Sequence, residues 1–252
     1  MDYVDQVFGQ DGFLAQEFRG YEPRPQQVAL ARAVDAVVRD GGVLVAEAPC
    51  GSGKSLAYIV PAIRLMFESA PGADPDGAPE RPKVIIATAN IALQEQLVQK
   101  DLPTLANVLP WPFTYAILKG RGNYLCRARA DDAGSLLDPE VKDVQAWARE
   151  TQTGDVSELS FTPAPGAWSR MCGDAEECDG ERCGKEECFY LRARKAALAA
   201  DGIVCNYHVL FSHLKIQEES GGMAGLLPPY DVLVMDEAHE VADIAGSFFG
   251  IR

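Results

Sequence analysis

The sequence predicts an α/β fold in which a parallel β-sheet carries helices on both faces and is interrupted by a mainly helical, cysteine-rich insert. Apolar runs that end in polar residues and lead into helical patterns recur along the chain, as in successive βα units. The run Val232–Met235 is apolar throughout, which is typical of a strand covered on both faces. Between residues 126 and 188 this alternation stops, and four of the seven cysteines crowd into residues 172–188.

Charge and hydropathy limit the classes of partner. The chain has 252 residues, with 23 Lys and Arg against 37 Asp and Glu, so its formal net charge is −14. A bulk attraction to nucleic acid is therefore excluded, and any such binding needs a local basic patch. Pro61 and Arg64 interrupt the longest apolar stretch, so we expect no membrane span. Asp2 and Asp5 stand where a secretory signal carries basic residues, and we expect a cytoplasmic protein.

A phosphate-binding loop is predicted at residues 47–55, which read E-A-P-C-G-S-G-K-S after the apolar run 43–46. We expect that run to form the first core strand and a helix to begin at Lys54. Lys54 would reach the β- and γ-phosphates of ATP, and Ser55 would ligate Mg²⁺. Ala48 replaces the first glycine of the strict pattern. The residues expected to contact the nucleotide are Gly51, Ser52, Gly53, Lys54 and Ser55.

A second acidic element follows the run Val232–Met235, where the sequence continues D-E-A-H. We expect Asp236 to hold Mg²⁺ through water and Glu237 to orient and deprotonate an attacking water. His239 would couple the nucleotide site to neighbouring segments. The simpler alternative is an acidic helix N-terminus, which is stabilising by itself. Together with Lys54, the pair predicts ATP hydrolysis with Lys54, Asp236 and Glu237 as catalytic residues.

The residues before the first long helix are candidates for recognising the adenine base of a nucleotide. Pro23 and Pro25 favour an extended entry, which displays Arg24 and Gln27 just before that helix. An amide side chain can pair with both a donor and an acceptor on an adenine edge. A solvated helix start is the alternative interpretation.

Two strand ends carry polar residues suited to a nucleic-acid backbone. The strand 84–87 ends in T-A-N and feeds a helix over Ile91 to Val98, while the apolar stretch 113–118 ends in K-G-R-G-N-Y-L-C. The first could equally cap its helix, and the second could be a surface loop with scattered charge. The candidates for contacting nucleic acid are Thr88, Asn90, Gln94, Lys119, Arg121 and Tyr124.

The cysteine-rich segment predicts a metal or cluster site. Cys178, Cys183 and Cys188 form a C-x4-C-x4-C pattern among glycines and charges, unlike cysteines of a hydrophobic core. Such a trio needs a fourth ligand. Cys126 is the expected partner and Cys172 the local competitor. Spacing and composition leave a structural zinc and an iron–sulfur cluster equally open.

Taken in order, these motifs resemble the DinG branch of the XPD-type iron–sulfur helicases of superfamily 2. The resemblance rests on the phosphate-binding loop, A-T-A-N-I-A-L-Q-E-Q-L-V-Q-K-D-L-P, K-G-R-G-N-Y-L-C, the cysteine trio, V-C-N-Y-H-V-L-F and V-M-D-E-A-H. It implies a RecA-like sheet, an adenine-reading element at Arg24 and Gln27, and ATP-driven 5′-to-3′ unwinding of single-stranded or forked DNA. The ligands it implies for a 4Fe-4S cluster are Cys126, Cys178, Cys183 and Cys188.

The resemblance also implies a domain organisation. Residues 1–125 would form the first part of a RecA-like motor domain, residues 126–190 the cluster insert, and residues 191–252 the remainder of the motor domain. Members of the family continue into an arch segment and a second RecA-like domain. We therefore expect this chain to be incomplete, with the second domain supplied in cis or in trans.

Two other functions are compatible with the residues alone. One is a non-enzymatic adaptor that binds single-stranded DNA and whose nucleotide binding is vestigial. The other is a zinc-containing ATPase with a phosphate-binding loop that is not a helicase. The intact set of Lys54, Ser55, Asp236 and Glu237 favours an ATP hydrolase over a scaffold.

Overall fold

A computed structural model of the chain describes residues 2–49, 51–68, 72–73, 79–133, 138–174, 178 and 188–250. The described chain divides into two compact units: Met1–Ile117 with Ala200–Arg252, and Leu118–Ala199. The predicted insert, residues 126–190, lies within the second unit, which also takes in residues 118–125 and 191–199.

Four parallel strands form the main sheet, which confirms the predicted α/β class. Their order across the sheet is β4-β5-β3-β6, and a two-stranded hairpin, β1 with β2, stands apart. In the parallel ladders, Ala87 of β3 lies opposite Cys205 of β5 and Met235 of β6. The strand bounds are Gly72–Ala73 (β1), Pro79–Glu80 (β2), Val84–Thr88 (β3), Tyr115–Leu118 (β4), Gly202–Asn206 (β5) and Val232–Met235 (β6).

Burial follows the position of each strand in the sheet. All residues of β3 and β5 are buried, as their apolar sequences require. The strand β6 is only half-buried along its length, because it lies at an edge of the sheet.

The predicted first strand, residues 43–46, is not formed. Val43 and Val45 are 89% and 93% exposed, and this segment pairs with no strand in the part of the chain that the structure describes. A strand is stable only when its N–H and C=O groups find partners in a neighbouring strand. The apolar composition of the run is typical of a strand, but no described strand pairs with it, and the prediction is wrong.

The helix that follows the phosphate-binding loop begins at Lys54, as predicted, and buries residues on most of its circumference. It packs against the long helix α3, where Ala31 is fully buried and permits close approach. The helices of the first unit are Tyr3–Phe8 (α1), Phe13–Glu17 (α2), Pro25–Asp40 (α3), Lys54–Glu68 (α4), Ile91–Gln96 (α5), Leu102–Val108 (α6), Tyr207–Glu219 (α11) and Val241–Phe249 (α12).

The helix predicted from Ile91 to Val98 continues further in a different geometry. After α5 the chain forms a π-helix, Leu97–Asp101, and then α6. The N–H of Leu102 donates to the carbonyl of Leu97, five residues earlier. Pro103 has no N–H for the next α-helical hydrogen bond, which favours a local change of helical register here.

The second unit contains four helices among its described residues. Asp138 caps one of them by accepting a hydrogen bond from the N–H of Glu140 at 3.2 Å, with Pro139 at the first helical position. These helices are Arg127–Asp132 (α7), Pro139–Trp147 (α8), Pro165–Met171 (α9) and Phe189–Ala199 (α10).

A buried ion pair lies at the centre of the second unit. Lys119 is 1% exposed, and its Nζ lies 2.7 Å from Asp155 Oδ2 and 3.1 Å from Ser157 Oγ. Asp155 also accepts hydrogen bonds from the N–H and hydroxyl of Ser157 at 3.0 Å each. Because the buried charges are paired and hydrogen-bonded, Lys119 ties the start of the unit to residues 155–157.

No described helix is both long enough and apolar enough to cross a membrane.

His213 holds a loop against α11. The side chain is fully buried, and its Nδ1 accepts hydrogen bonds from the N–H groups of Leu226 and Leu227 at 3.1 and 3.2 Å. Burial lowers the pKa of His213 below its ordinary value. The folded state therefore binds this proton later than the unfolded state as the pH falls.

We expect His213 to contribute to acid destabilisation. Its contribution to stability is complete above the unfolded pKa of about 6.5 and falls by up to about 1.4 kcal/mol per pH unit below it. Chemical denaturation of wild type and His213→Gln at neutral and mildly acidic pH measures this dependence. The slope should be smaller in His213→Gln and unchanged in His208→Gln, which alters an exposed residue of the same helix. Equal slopes in wild type and His213→Gln would contradict the assignment.

Candidate nucleotide site

The loop before α4 has the backbone form that its glycines predicted. Gly51 and Gly53 have φ of +75° and +83°, in the left-handed region that glycine adopts without strain. At Gly53 a side chain is also excluded by space, since a Cβ atom would lie 2.0 Å from Gln27 Nε2. The loop therefore leads its backbone directly into the N-terminus of α4 at Lys54.

Two side chains at the start of α3 donate hydrogen bonds to carbonyl oxygens of this loop. Gln27 Nε2 donates to the carbonyl oxygen of Gly53 at 2.9 Å, and Arg24 Nη1 donates to that of Gly51 at 2.7 Å. Gln27 is only 4% exposed. The two residues expected to read adenine thus contact the phosphate-binding loop itself, a contact that the sequence did not predict.

The acidic pair lies at the end of β6, where the ladder with β3 closes. The N–H of Asp236 donates to the carbonyl of Ala87 at 2.9 Å. The next residue, Glu237, has φ +56° and ψ +47°, the only positive φ of a non-glycine residue in the described parts of the chain. Such a conformation costs of order 1 kcal/mol or more and is concentrated at functional sites.

This turn brings Glu237 to Lys54. Lys54 Nζ donates to Glu237 Oε1 at 2.9 Å, although the two residues are 183 positions apart. The hydrogen bond from Lys54 lowers the pKa of Glu237, so the carboxylate is ionised at neutral pH. His239 Nδ1 lies 3.5 Å from the other carboxylate oxygen, on an exposed side chain. The two motifs that the sequence predicted separately therefore meet in one site.

Three residues that the sequence analysis missed surround Asp236. The hydroxyl of Tyr58 donates to Asp236 Oδ2 at 3.1 Å, and that of Tyr207 donates to the Asp236 carbonyl oxygen at 2.7 Å. Burial raises the pKa of Asp101, and the negative charge of Asp236 raises it further. Tyr58 lies one helical turn after Lys54, and Tyr207 directly follows β5. Both positions could have been inferred from helix periodicity and from the shared edge of a parallel sheet.

The oxygen groups near Asp236 are suited to a magnesium ion. Mg²⁺ prefers oxygen ligands and usually takes only one or two from the protein, with the rest from water and phosphate. Ser55 and Asp236 supply such oxygens, and the hydroxyl of Tyr58 hydrogen-bonds to the Asp236 carboxylate. The donor set therefore fits the predicted ion.

The nucleic-acid candidates of the first unit are mostly inside the fold. Thr88 and Gln94 are fully buried, so they cannot contact a bound strand in this conformation. The hydroxyl of Thr88 donates to the Asn90 carbonyl at 3.0 Å, and Asn90 caps α5 by accepting from the N–H of Leu93 at 3.1 Å. Asn90 is therefore a helix cap, which is the alternative that the sequence left open. Of the three, only Asn90 is exposed.

In the second unit the candidates also differ in exposure. Lys119 is committed to its buried pair with Asp155, so the expectation that its charge meets phosphate is not supported. Tyr124 is buried as well, and burial raises its pKa to about 12, so its ring is not an open stacking platform. Arg121 is half-exposed and lies over the ring of Tyr190, 4.5 Å from its centroid. Arg121 is therefore the member of this group that can face a ligand.

The cysteine prediction lies partly outside the described residues, because Cys183 is not among them. Cys126 and Cys188 are half-buried, and Cys178 is exposed. Cys172, the competing ligand, lies near Cys126: its segment pairs with that of Leu125, and the N–H of Cys126 donates to the Met171 carbonyl at 2.8 Å. Among the described residues no cluster of three potential ligands is gathered.

Known proteins align with most of the length of this chain. No protein-family model matches the chain. The chain is 36% identical over 252 residues to "ATP-dependent DNA helicase YoaA" of Escherichia coli strain K12, an alignment that covers 96% of this chain and 37% of that protein. It is 38% identical over 247 residues to "ATP-dependent helicase DinG" of Mycobacterium tuberculosis strain H37Rv, covering 87% and 34%.

A third relative has a different name. The chain is 31% identical over 253 residues to "3′-5′ exonuclease DinG" of Bacillus subtilis strain 168, covering 97% of this chain and 25% of that protein. The chain thus spans about a third or less of the length of these relatives. Over nearly all of its own length, the chain is a DinG-like sequence, related to the DinG and YoaA proteins.

Proposed function

We propose that this chain is the ATP-binding part of the first RecA-like motor domain of an ATP-dependent DNA helicase. The contact between Lys54 and Glu237 is the observation that carries the proposal, because it joins the phosphate-binding loop to the acidic end of β6. The names of the YoaA and DinG relatives support ATP-dependent action on DNA. The relatives are far longer than this chain, so unwinding is proposed for the intact protein.

The Lys54–Glu237 pair suggests how nucleotide binding prepares the site. In the structure Lys54 holds Glu237, and both side chains remain partly exposed. The phosphates of ATP would compete for the ammonium group of Lys54, which leaves Glu237 to accept a hydrogen bond from the attacking water. Because Glu237 is ionised, it can take a proton from that water as the water oxygen bonds to the γ-phosphorus. The bond from that phosphorus to the β–γ bridging oxygen breaks at the same time, and ADP is the leaving group. The base would thus become available only when phosphate is bound.

Ser55 and Asp236 would hold the magnesium ion, which neutralises the phosphate oxygens when bound. Arg24 and Gln27 would form the base-reading element while they support the loop carbonyls. Full turnover would need a second RecA-like domain, whose arginines stabilise the charge that develops on the transferred phosphoryl group. We propose 5′-to-3′ movement on single-stranded or forked DNA, with Asn90 and Arg121 as the exposed candidates for contacting it.

We further propose a 4Fe-4S cluster in the insert, with Cys126, Cys178, Cys183 and Cys188 as ligands. Thiolates are the ligands of such clusters, and the three described members, Cys126, Cys178 and Cys188, belong to one compact unit of the chain. No step of the ATP reaction passes through this group, which would tie a long loop together.

Loss of the Lys54 ammonium group should abolish the motor activity of the intact protein. We expect Lys54→Ala to reduce ATP hydrolysis by about a hundredfold or more and to eliminate unwinding of a forked duplex. Glu237→Gln should still bind nucleotide but fail to hydrolyse it. Lys215→Ala removes an exposed lysine from α11 and serves as the matched control. Wild-type hydrolysis and unwinding by Lys54→Ala would exclude the proposal.

Gln27 should support the loop in addition to any contact with adenine. We expect Gln27→Ala to weaken binding of ATP and of inorganic tripolyphosphate by similar factors of about five to ten, because the bond to the Gly53 carbonyl is lost in both cases. Calorimetric titration measures both affinities. A residue that reads only adenine would leave tripolyphosphate binding unchanged, and that result would limit Gln27 to base recognition.

The cluster should respond to each proposed thiol. Anaerobically purified intact protein should show iron, sulfide and the visible absorption of iron–thiolate bonds, and Cys183→Ala should lose all three. Cys205→Ala is the control, since Cys205 is buried in β5 with its pKa raised to about 12 by burial. Comparison of Cys126→Ala with Cys172→Ala identifies the fourth ligand. A colourless protein with stoichiometric zinc would contradict the cluster.

A further inference from the structure

We propose that Tyr58 is a positioning residue that orients the carboxylate of Asp236 for magnesium binding. This inference rests on the proposed function, because it concerns the same nucleotide site. Tyr58 belongs to no motif identified from the sequence, and it hydrogen-bonds to the side chain of Asp236, one of the two proposed magnesium ligands.

The geometry constrains the carboxylate at both oxygens. Tyr58 donates to Asp236 Oδ2 at 3.1 Å, and the N–H of Glu237 donates to Asp236 Oδ1 at 3.1 Å. An aspartate held at both oxygens has one side-chain conformation, whereas the release of either bond allows rotation. Ligands fixed in advance bind an ion more tightly, because no rotational freedom is lost on binding.

Tyr58 itself has little freedom. Its side chain is 7% exposed and extends from α4, the helix whose first two residues are Lys54 and Ser55. Ser55 lies three positions before Tyr58 on the same face of the helix. A single rigid element therefore carries the phosphate-binding lysine, one magnesium ligand and the group that orients the other.

Tyr207 contacts the same residue but in a different way. Its hydroxyl donates to the backbone carbonyl of Asp236 at 2.7 Å, and the side chain is fully buried. That bond fixes the backbone at the end of β6 and leaves the carboxylate untouched. Tyr207 therefore supports the end of the strand, whereas Tyr58 orients the carboxylate that would bind magnesium.

The Mg²⁺ dependence of the intact protein tests this role. Tyr58→Phe keeps the ring and removes only the hydroxyl. We expect it to raise the Mg²⁺ concentration for half-maximal ATP binding, measured by calorimetric titration, by about tenfold, as for the loss of a hydrogen bond to a charged group. The midpoint for ATP hydrolysis should rise with it. Nucleotide affinity measured in EDTA should stay unchanged. Tyr207→Phe should lower the unfolding temperature without moving the Mg²⁺ midpoint.

A double-substitution cycle distinguishes orientation of Asp236 from a general loss of packing. If Tyr58 acts through Asp236, adding Tyr58→Phe to Asp236→Asn changes the Mg²⁺ midpoint for ATP binding, which needs no turnover, much less than it does in wild type. Additive effects, or a Tyr58→Phe midpoint equal to that of wild type, would overturn the inference. The proposed function would survive that result, since it fails only if Lys54→Ala retains hydrolysis and unwinding.

Discussion

The pairing of β6 with β3 is the constraint on which the candidate site depends. The parallel register places Met235 beside Ala87, and one further bond, from the N–H of Asp236 to the Ala87 carbonyl, extends the ladder past the end of the strand. Parallel strands end at the same edge of a sheet, so this bond delivers the carboxylates of Asp236 and Glu237 to the edge that the phosphate-binding loop also reaches. Without that register the two motifs would remain distant in space as well as in sequence.

The backbone turns sharply at Glu237, just after the end of β6. Glu237 adopts a left-handed conformation that is unfavourable for its residue type, and the bond from Lys54 is the compensation that the structure provides. Before nucleotide binds, the charges of Lys54 and Glu237 are therefore paired with each other. The phosphates of ATP would replace Glu237 as the partner of Lys54. Binding of the nucleotide would thus release Glu237 to act as the base.

The sequence predicted the sheet and the start of α4 well, because those signals are local. Apolar runs bounded by polar residues indicated β3, β4 and β6, and the helix after the glycines begins at Lys54. The π-helix and the missing strand at residues 43–46 could not be predicted in this way. Whether an apolar run becomes a strand depends on a partner elsewhere in the chain, and the composition of the run contains no information about that partner.

The sequence by itself determined which chemical groups are present and the order in which they occur: a glycine loop with Lys54, an acidic pair after an apolar strand, and a cysteine trio. Only the tertiary structure decided which of the polar residues are accessible. Lys119 and Tyr124 read as surface groups, yet they are buried, whereas Tyr58 was unremarked and touches Asp236. The reason is that burial and contact depend on packing between segments that are distant in sequence. A motif gives only residue types and their spacing along the chain.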